Sequence, residues 1–481
     1  MTDFKSISHI NLLLFRCGLM ACMVLLTIPT LAQKKTNVLF IVIDDLRPAL
    51  GSYGDKNASS PNIDKLAANG TLFTAAYCQQ AVCAPSRASF MTGKKPDHTQ
   101  VWNLETHFRK VLPNVVTLPQ YFKNNGYYTR QIGKIYHDPK VAQDAISWSM
   151  PKLLAVTTNK GKYALESNLA KAPKSTATEW ADVVDSAYID GMVADAAVKE
   201  LNQMGNKPFL LAVGFRRPHL PFTAPLNYWK KNENRIFPLS PDTTKATGVP
   251  DFSKHNSVEL RSYTDIPDFG PIDEKKSSEL IKGYYTSISF MDEQVGKVLN
   301  ELKRLNLDKN TIVVLLSDHG FHLGEHGLWG KTTNSKLDTR VPLIIVDPEK
   351  LAVGKKSDTI VQLVDLYATL SELCGLQKPD TDGQSFAKII KGKPFTGSGV
   401  AFSQFPNQMA YADKPAVMGY AMHTANFSYT EWIELKTNKV LARELYDYRT
   451  DKAENHNVVT DVKYKKELIS FSKQISVYRS N

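Results

Sequence analysis

The feature that most limits what this chain can fold into is a set of short, unbroken apolar runs, each stopped by polar or charged residues. Asn37-Val38-Leu39-Phe40-Ile41-Val42-Ile43 ends in Asp44-Asp45. Phe209-Leu210-Leu211-Ala212-Val213 leads into Gly-Phe-Arg-Arg-Pro-His at 214–219, and Thr311-Ile312-Val313-Val314-Leu315-Leu316 into Ser317-Asp318-His319-Gly320. Val341-Pro342-Leu343-Ile344-Ile345-Val346 is a fourth run. All four are rich in β-branched residues and lack the alternation of a half-solvated strand, so they read as strands buried on both faces of a parallel sheet. Helical periodicity occupies 118–125, 277–305 and 361–374 between them. Strands alternating with helices predict an α/β fold, a large, mostly parallel sheet sandwiched by helices. From Lys391-Gly392-Lys393-Pro394 the texture changes to short alternating runs at 418–422, 427–432 and 444–447. These predict a smaller C-terminal antiparallel-sheet subdomain, closed by a helix over 462–475.

At 481 residues the chain exceeds what one hydrophobic core supports. The expected division is 1–32 as a leader, 33–390 as the α/β domain and 391–481 as the C-terminal subdomain. The leader has Lys5 and Arg16, an apolar run from Cys17 to Ile28, and Thr30-Leu31-Ala32 before Gln33. That order is a cleaved signal peptide and predicts a secreted or periplasmic protein without stable membrane insertion. Cys22 after Leu19-Met20-Ala21 is a less favoured lipid-anchor site, because the apolar run continues past it. Processing leaves Cys78, Cys83 and Cys374, too few for a disulfide framework, and spacing does not decide whether Cys78 and Cys374 pair. The formal net charge of +11 changes little when Lys5, Arg16 and Asp3 are removed, and it favours anionic partners. An exported chain with no recognised nucleic-acid module is not expected to bind nucleic acid, whereas a sulfated polysaccharide answers to the same electrostatics.

In an α/β sheet of this kind, ligands sit at the carboxyl ends of the strands. Asp44, Asp45 and Asp318 fall there with His319, a set of hard oxygen donors suited to a cation such as calcium. Gly133-Lys134-Ile135-Tyr136-His137 follows the β-like stretch Tyr127-Tyr128-Thr129-Arg130 and brings an ammonium and an imidazole to another strand end. His219 lies between two prolines that stiffen its loop, and Lys331 follows the glycine-rich segment 320–330. Zinc at His319, His322, Glu325 and His326 is disfavoured by the spacing and the glycines, so His322 and His326 are expected to order their loop. Two stretches lack periodicity, 138–180 with Lys152, Lys160, Lys162, Lys171 and Lys174, and 223–272. Loops of that length form lids or binding surfaces, although a charge run of this kind reads first as a solvated face.

Ala81-Val82-Cys83-Ala84-Pro85-Ser86-Arg87-Ala88-Ser89-Phe90-Met91-Thr92-Gly93 resembles the type I sulfatase signature, in which the cysteine of Cys-x-Pro-Ser-Arg is oxidised to formylglycine. From about 36 to 460 the chain is similar to the formylglycine-dependent sulfatases of the alkaline phosphatase superfamily. It is most similar to their iduronate-2-sulfatase-like branch, through Val38 to Pro48, Ala212-Val213-Gly214-Phe215 with Pro218-His219-Leu220-Pro221-Phe222, Ser317-Asp318-His319-Gly320 with Leu323-Gly324-Glu325-His326-Gly327, and Met418-Gly419-Tyr420 with Tyr429-Thr430. The resemblance implies an alkaline phosphatase-like fold, a calcium ion on Asp44, Asp45, modified Cys83, Asp318 and His319, and a sulfate site formed by Arg87, Lys134, His137, His219 and Lys331. It implies maturation by a formylglycine-generating enzyme that converts Cys83 to 3-oxoalanine. The implied roles are attack by residue 83, charge stabilisation by Arg87, protonation of the leaving alcohol by His219 or Lys331, and proton removal by His137.

His319 stands where many sulfatases have Asn and agrees with the narrower branch. The segment Trp102-Asn103-Leu104-Glu105-Thr106-His107-Phe108-Arg109 lies where that branch shapes its sugar pocket but differs from the lysosomal enzyme, so it leaves the sugar open. The expected activity is hydrolysis of carbohydrate O-sulfates, with a 2-O-sulfated uronate as the favoured substrate. The alternatives are a phosphoester hydrolase on the same fold and a non-catalytic sulfated-glycan binder.

Overall fold

The computed structural model describes residues 35–137, 143–154, 161–171, 174–253, 255–407 and 414–480. The expected leader 1–32, Cys22 and Lys160 lie outside them. Among the described residues the central sheet has eight strands. Seven of them are β1 (Asn37–Ile43), β2 (Thr71–Tyr77), β3 (Tyr128–Gly133), β4 (Phe209–Phe215), β5 (Thr311–Ser317), β6 (Arg340–Val346) and β7 (Lys355–Ser357). Their order is β7-β2-β6-β5-β1-β4-β3, and the short strand Val361–Gln362 also pairs with β2. Pairing is parallel from β3 through β4 and β1 to β5, and antiparallel where β6 meets β5 and β2. The sheet is mostly parallel, as the apolar runs predict, with β6 inserted in reverse.

The unbroken hydrophobicity of β1 is explained by burial on both sides. Leu39, Ile41 and Ile43 face one core cluster, and Val38, Phe40 and Val42 face another. Helices α2 (Ile189–Gln203) and α3 (Glu274–Arg304) contribute to the first core, and α1 (Cys83–Thr92) to the second. The helical pattern at 361–374 resolves into the strand Val361–Gln362, a tight turn at Leu363–Asp365 and a helix over Leu366–Leu373. The Asp365 carboxylate accepts from the Gln362 N–H at 2.9 Å, and this capping contact opens the helix later than the apolar spacing alone indicates.

The C-terminal strands β8 (Ala401–Pro406), β9 (Val417–His423), β10 (Phe427–Glu434) and β11 (Lys439–Asp447) form an antiparallel sheet in chain order. Helix α4 (Lys465–Ser480) packs on it through Phe471 and Ile475, closing a core with Met422, Tyr429 and Leu445. The described residues from Asn37 onward form one compact unit.

Candidate active site

Register brings the functional residues together. Gly133 pairs with Gly214, and Ile43 pairs with both Phe215 and Ser317. The next residue along each strand is therefore Lys134, Arg216, Asp44 or Asp318, all at one edge of the sheet. Asp45 has φ 63, in the left-handed region that a short polar side chain tolerates. That turn breaks strand alternation, which lets adjacent carboxylates serve the same site. The Tyr284 hydroxyl donates to the Asp45 carbonyl at 2.8 Å and accepts from the Arg47 N–H at 3.0 Å, pinning the turn.

Cys83 is the first residue of α1, a helix whose residues are all buried, and its N-terminal end favours negative charge. Cys83 Sγ lies 3.5 Å from Asp44 Oδ1, 3.3 Å from His319 Nε2 and 3.6 Å from Lys134 Nζ. Burial and the neighbouring Asp44 push the Cys83 thiol well above its ordinary range. As a thiol it holds its proton and is a poor nucleophile.

Arg87 lies one turn into α1 and is fully buried. Its Nε donates to Asp318 Oδ2 at 2.9 Å and its Nη2 to Asp44 Oδ1 at 2.9 Å. Its Nη1 donates to the carbonyls of Lys134 at 2.6 Å and Ile135 at 2.9 Å. Sequence reasoning assigns this guanidinium to a developing oxyanion. In the structure the fork instead clamps two carboxylates from different strands and the turn carrying Lys134, a task suited to its planar donors.

Asp44, Asp45, Cys83 and His319 each present a ligand atom within 4.8 Å of the others. Asp318 joins them, with its Oδ2 3.6 Å from His319 Nε2 and its Oδ1 accepting the Asp45 N–H at 3.2 Å. His319 Nδ1 donates to the Gly320 carbonyl at 3.0 Å, which leaves the Nε2 lone pair facing the carboxylates. Asp45 Oδ1 is buried and makes no hydrogen bond in the protein. Burial raises the Asp45 carboxyl to about 7, with Lys331 and His319 pulling the other way. Carboxylate oxygens predominate, one lacks a donor, and the imidazole presents its lone pair, so these residues fit a hard divalent cation.

The cationic side is formed by Lys134, Lys331 and His219. Lys134 Nζ donates to Asp44 Oδ2, and Lys331 Nζ donates to Asp45 Oδ2 at 2.8 Å and to Glu259 Oε2 at 2.7 Å. Lys331 is buried, which by itself disfavours its charge, but Asp45 and Glu259 outweigh that and hold it protonated. His219 Nδ1 donates to the Leu220 carbonyl at 2.6 Å, and its Nε2 lies 3.3 Å from Glu259 Oε1 and 3.9 Å from Asp44 Oδ2. Burial and then Lys331 lower the His219 pKa, against the pull of Glu259 and Asp44. His137 is held well below its ordinary pKa by burial and then by Lys134, and its Nδ1 makes no hydrogen bond in the protein. Both features leave it a neutral imidazole able to accept a proton.

Glu259 was not legible in the sequence. It lies on a single helical turn, Val258–Arg261, inside the aperiodic stretch 223–272, where one acidic residue among many gives no signal. Asp338, on the short helix Lys336–Thr339, carries no sequence signal either, because its partners lie earlier in the glycine-rich loop and beyond it. It accepts from His322 Nδ1 at 2.6 Å and from the Thr333 hydroxyl at 2.6 Å. His322 and His326 order the loop as expected, the latter through its Nε2 contact with Asn455 Oδ1 at 3.0 Å. The 102–109 segment reaches the site, since Thr106, His107 and Phe108 line a small cleft together with Arg87 and His137.

The profile of the sulfatase family matches residues 36–376, and that of the C-terminal region of N-sulphoglucosamine sulphohydrolase matches 324–481. The chain belongs to the sulfatase family. Iduronate 2-sulfatase of Mus musculus is 34% identical over 514 residues, covering 89% of this chain and 92% of that protein. The human iduronate 2-sulfatase is 33% identical, covering 88% and 91%. A structure solved in complex with its substrate D-glucosamine-2-N,6-O-disulfate superposes with TM-score 0.78 at 21% identity, covering 93% of this chain and 98% of that one. Phosphonate monoester hydrolase of Agrobacterium radiobacter superposes with TM-score 0.76 at 21% identity, covering 93% and 96%. This sulfatase is therefore a sulfuric ester hydrolase with an alkaline phosphatase-like fold and iduronate-2-sulfatase-like relatives.

Proposed function

We propose that the enzyme is an exported, calcium-dependent sulfatase that removes an O-sulfate from a saccharide, most closely a 2-O-sulfated uronate, with formylglycine at position 83. The observation carrying this reading is the placement of Cys83 at the buried start of α1, with its Sγ within 3.6 Å of groups from Asp44, His319 and Lys134. A thiol held protonated there has little use as a nucleophile, whereas oxidation to an aldehyde gives a hydroxyl-bearing hydrate. Calcium would be held by Asp44, Asp45, Asp318, His319 and residue 83, and would acidify a hydroxyl there and draw in sulfate oxygens. The iduronate 2-sulfatase relatives and the basic chain support the choice of sugar.

The protein's own groups divide the remaining work. Arg87 fixes Asp44 and Asp318 relative to each other and to the turn that carries Lys134. Lys134 and Lys331 bring two ammonium groups to the sulfate, and each such donor is worth about 3 to 4 kcal/mol of barrier when aimed at developing charge. Lys331 enters the reaction protonated and is placed to give that proton to the leaving alcohol. His219, fixed by Leu220, shares the same Glu259 contact and orients beside it. His137, neutral at rest, takes the proton from the hydroxyl that remains at position 83.

Matured enzyme assayed on an aryl sulfate and the matching aryl phosphate tests this reading. Preference for the sulfate, loss of activity on chelation and recovery with calcium are expected. Preference for phosphate, or turnover indifferent to chelation, would overturn it.

A further inference from the structure

Lys331 enters the site from a stretch of backbone with an uncommon conformation on either side. Gly330 has φ 122 and Thr332 has φ 88, both in the left-handed region. Glycine adopts it freely, whereas a β-branched threonine there is an outlier that persists only where its surroundings over-determine it. The contacts of the Lys331 ammonium with Asp45 and Glu259 do not supply that restraint, because a flexible four-carbon stem separates them from the backbone. The restraint comes from the residues before and after the lysine.

Both sides lead to Asp338. Ahead of the lysine, His322 pairs with Gly330 in a two-residue antiparallel ribbon, and its Nδ1 donates to Asp338 Oδ1 at 2.6 Å. After the lysine, Thr333 donates to Asp338 Oδ2 through its N–H at 3.0 Å and its hydroxyl at 2.6 Å. One carboxylate therefore clasps both ends of the segment that carries Lys331. All three residues are buried, where charge-assisted hydrogen bonds hold best, and His322 Nε2 has no partner in the protein, so the Asp338 contact fixes that ring. The clasp is also tied to the metal side of the site. The Asp338 carbonyl accepts from the Gly320 N–H at 2.7 Å and the Leu337 carbonyl from the Phe321 N–H at 3.1 Å, directly after Asp318 and His319.

We infer that Asp338 is a positioning residue for the reaction, which through His322 and Thr333 aims the Lys331 ammonium at the leaving oxygen. This rests on the proposed role of Lys331 as proton donor and names what sets the donor in place. In that step the sulfur–oxygen bond to the alcohol breaks as one N–H proton of Lys331 passes to the alcohol oxygen, leaving the amine neutral. Such a transfer depends on aim, since a displacement of about 1 Å at a reacting group costs roughly a hundredfold in rate. Asp338 acts through the backbone on either side of the lysine, not by contact with the reacting atoms.

The test uses matured, calcium-loaded enzyme and two esters: phenyl sulfate, whose leaving oxygen needs the proton, and para-nitrophenyl sulfate, whose leaving group departs readily without it. The readout is the ratio of kcat on the nitrophenyl ester to kcat on the phenyl ester. Lys331→Met should raise that ratio at least about tenfold, as loss of a general acid does for a poor leaving group. Asp338→Asn offers one acceptor oxygen where two are used, and should raise the ratio by a similar factor. Thr333→Val keeps the backbone bond and the side-chain shape, should raise it less, and carries the test if Asp338→Asn does not fold; Thr333→Ser should restore the wild-type ratio. Added to Lys331→Met, either variant should raise the ratio no further, because the group it aims is gone. A ratio unmoved by Asp338→Asn, or by Thr333→Val where Asp338→Asn does not fold, overturns the positioning role, as does an undiminished further rise in the Lys331→Met background. A ratio unmoved by Lys331→Met itself removes the donor role and the inference with it. Absence of wild-type turnover on both esters removes the sulfatase chemistry.

Discussion

Replacing Arg87 by Lys separates two roles for this side chain. The guanidinium makes four donations, at 2.9 Å to Asp318, 2.9 Å to Asp44, and 2.6 and 2.9 Å to the carbonyls of Lys134 and Ile135. Lysine keeps the positive charge but has a single nitrogen and no planar fork, so it cannot clamp both carboxylates and the turn together. Losing two of these bonds at about 1.5 to 3 kcal/mol each costs about 3 to 6 kcal/mol. That is a large part of a typical folding stability of roughly 5 to 15 kcal/mol. The expected result is an apparent Tm lowered by about 5 to 10 °C, given roughly 2 °C per kcal/mol or less for long chains. Calcium affinity, read by calorimetry on the same protein, should fall at least tenfold, because Asp44 and Asp318 lose their common anchor. Unchanged Tm and calcium affinity with a loss confined to kcat would refute this reasoning and return Arg87 to the oxyanion role that the sequence motif implies.

Other expectations follow from the same geometry. Glu259→Gln removes the carboxylate that shares Lys331 and His219 with the incoming sulfate, so inorganic sulfate should inhibit about tenfold more tightly, a modest fraction of a close Coulomb pair; weaker inhibition would mean that Glu259 is needed to build the sulfate site. Asp338→Ala leaves buried His322 and Thr333 without their shared acceptor and should cost about 3 to 5 kcal/mol in urea unfolding.

Much of the fold could be read from the sequence because the strongest signals are the ones burial dictates. β1, β4 and β5 are continuous apolar runs because both faces of the sheet are covered, and they appear in the structure within two residues of their expected limits. β2 was missed. Thr71-Leu72-Phe73-Thr74-Ala75-Ala76-Tyr77 mixes small and polar residues because Thr74 and Ala75 are only partly buried. The reversal of β6 could not be seen at all, since direction depends on a connection and not on the residues of the strand. In the site, residues attached to a strand end or to a spaced motif could be named in advance: Asp44, Asp45, Cys83, Lys134 and Asp318. Glu259 acquires meaning only when its loop meets His219 and Lys331, which are distant in sequence, and no local pattern records that meeting. The motif also gives residue identity without contact, so it located Arg87 but not the partners of its donors.

The account depends most on what occupies position 83. Protein from an active preparation, digested so that the peptide spanning Cys83 is isolated, should show by mass spectrometry the aldehyde of formylglycine or its hydrate. The unmodified fraction should account for the shortfall in specific activity, and Cys83→Ala should keep its fold while losing turnover. An active enzyme whose peptide carries only the intact thiol at position 83 would contradict the central claim.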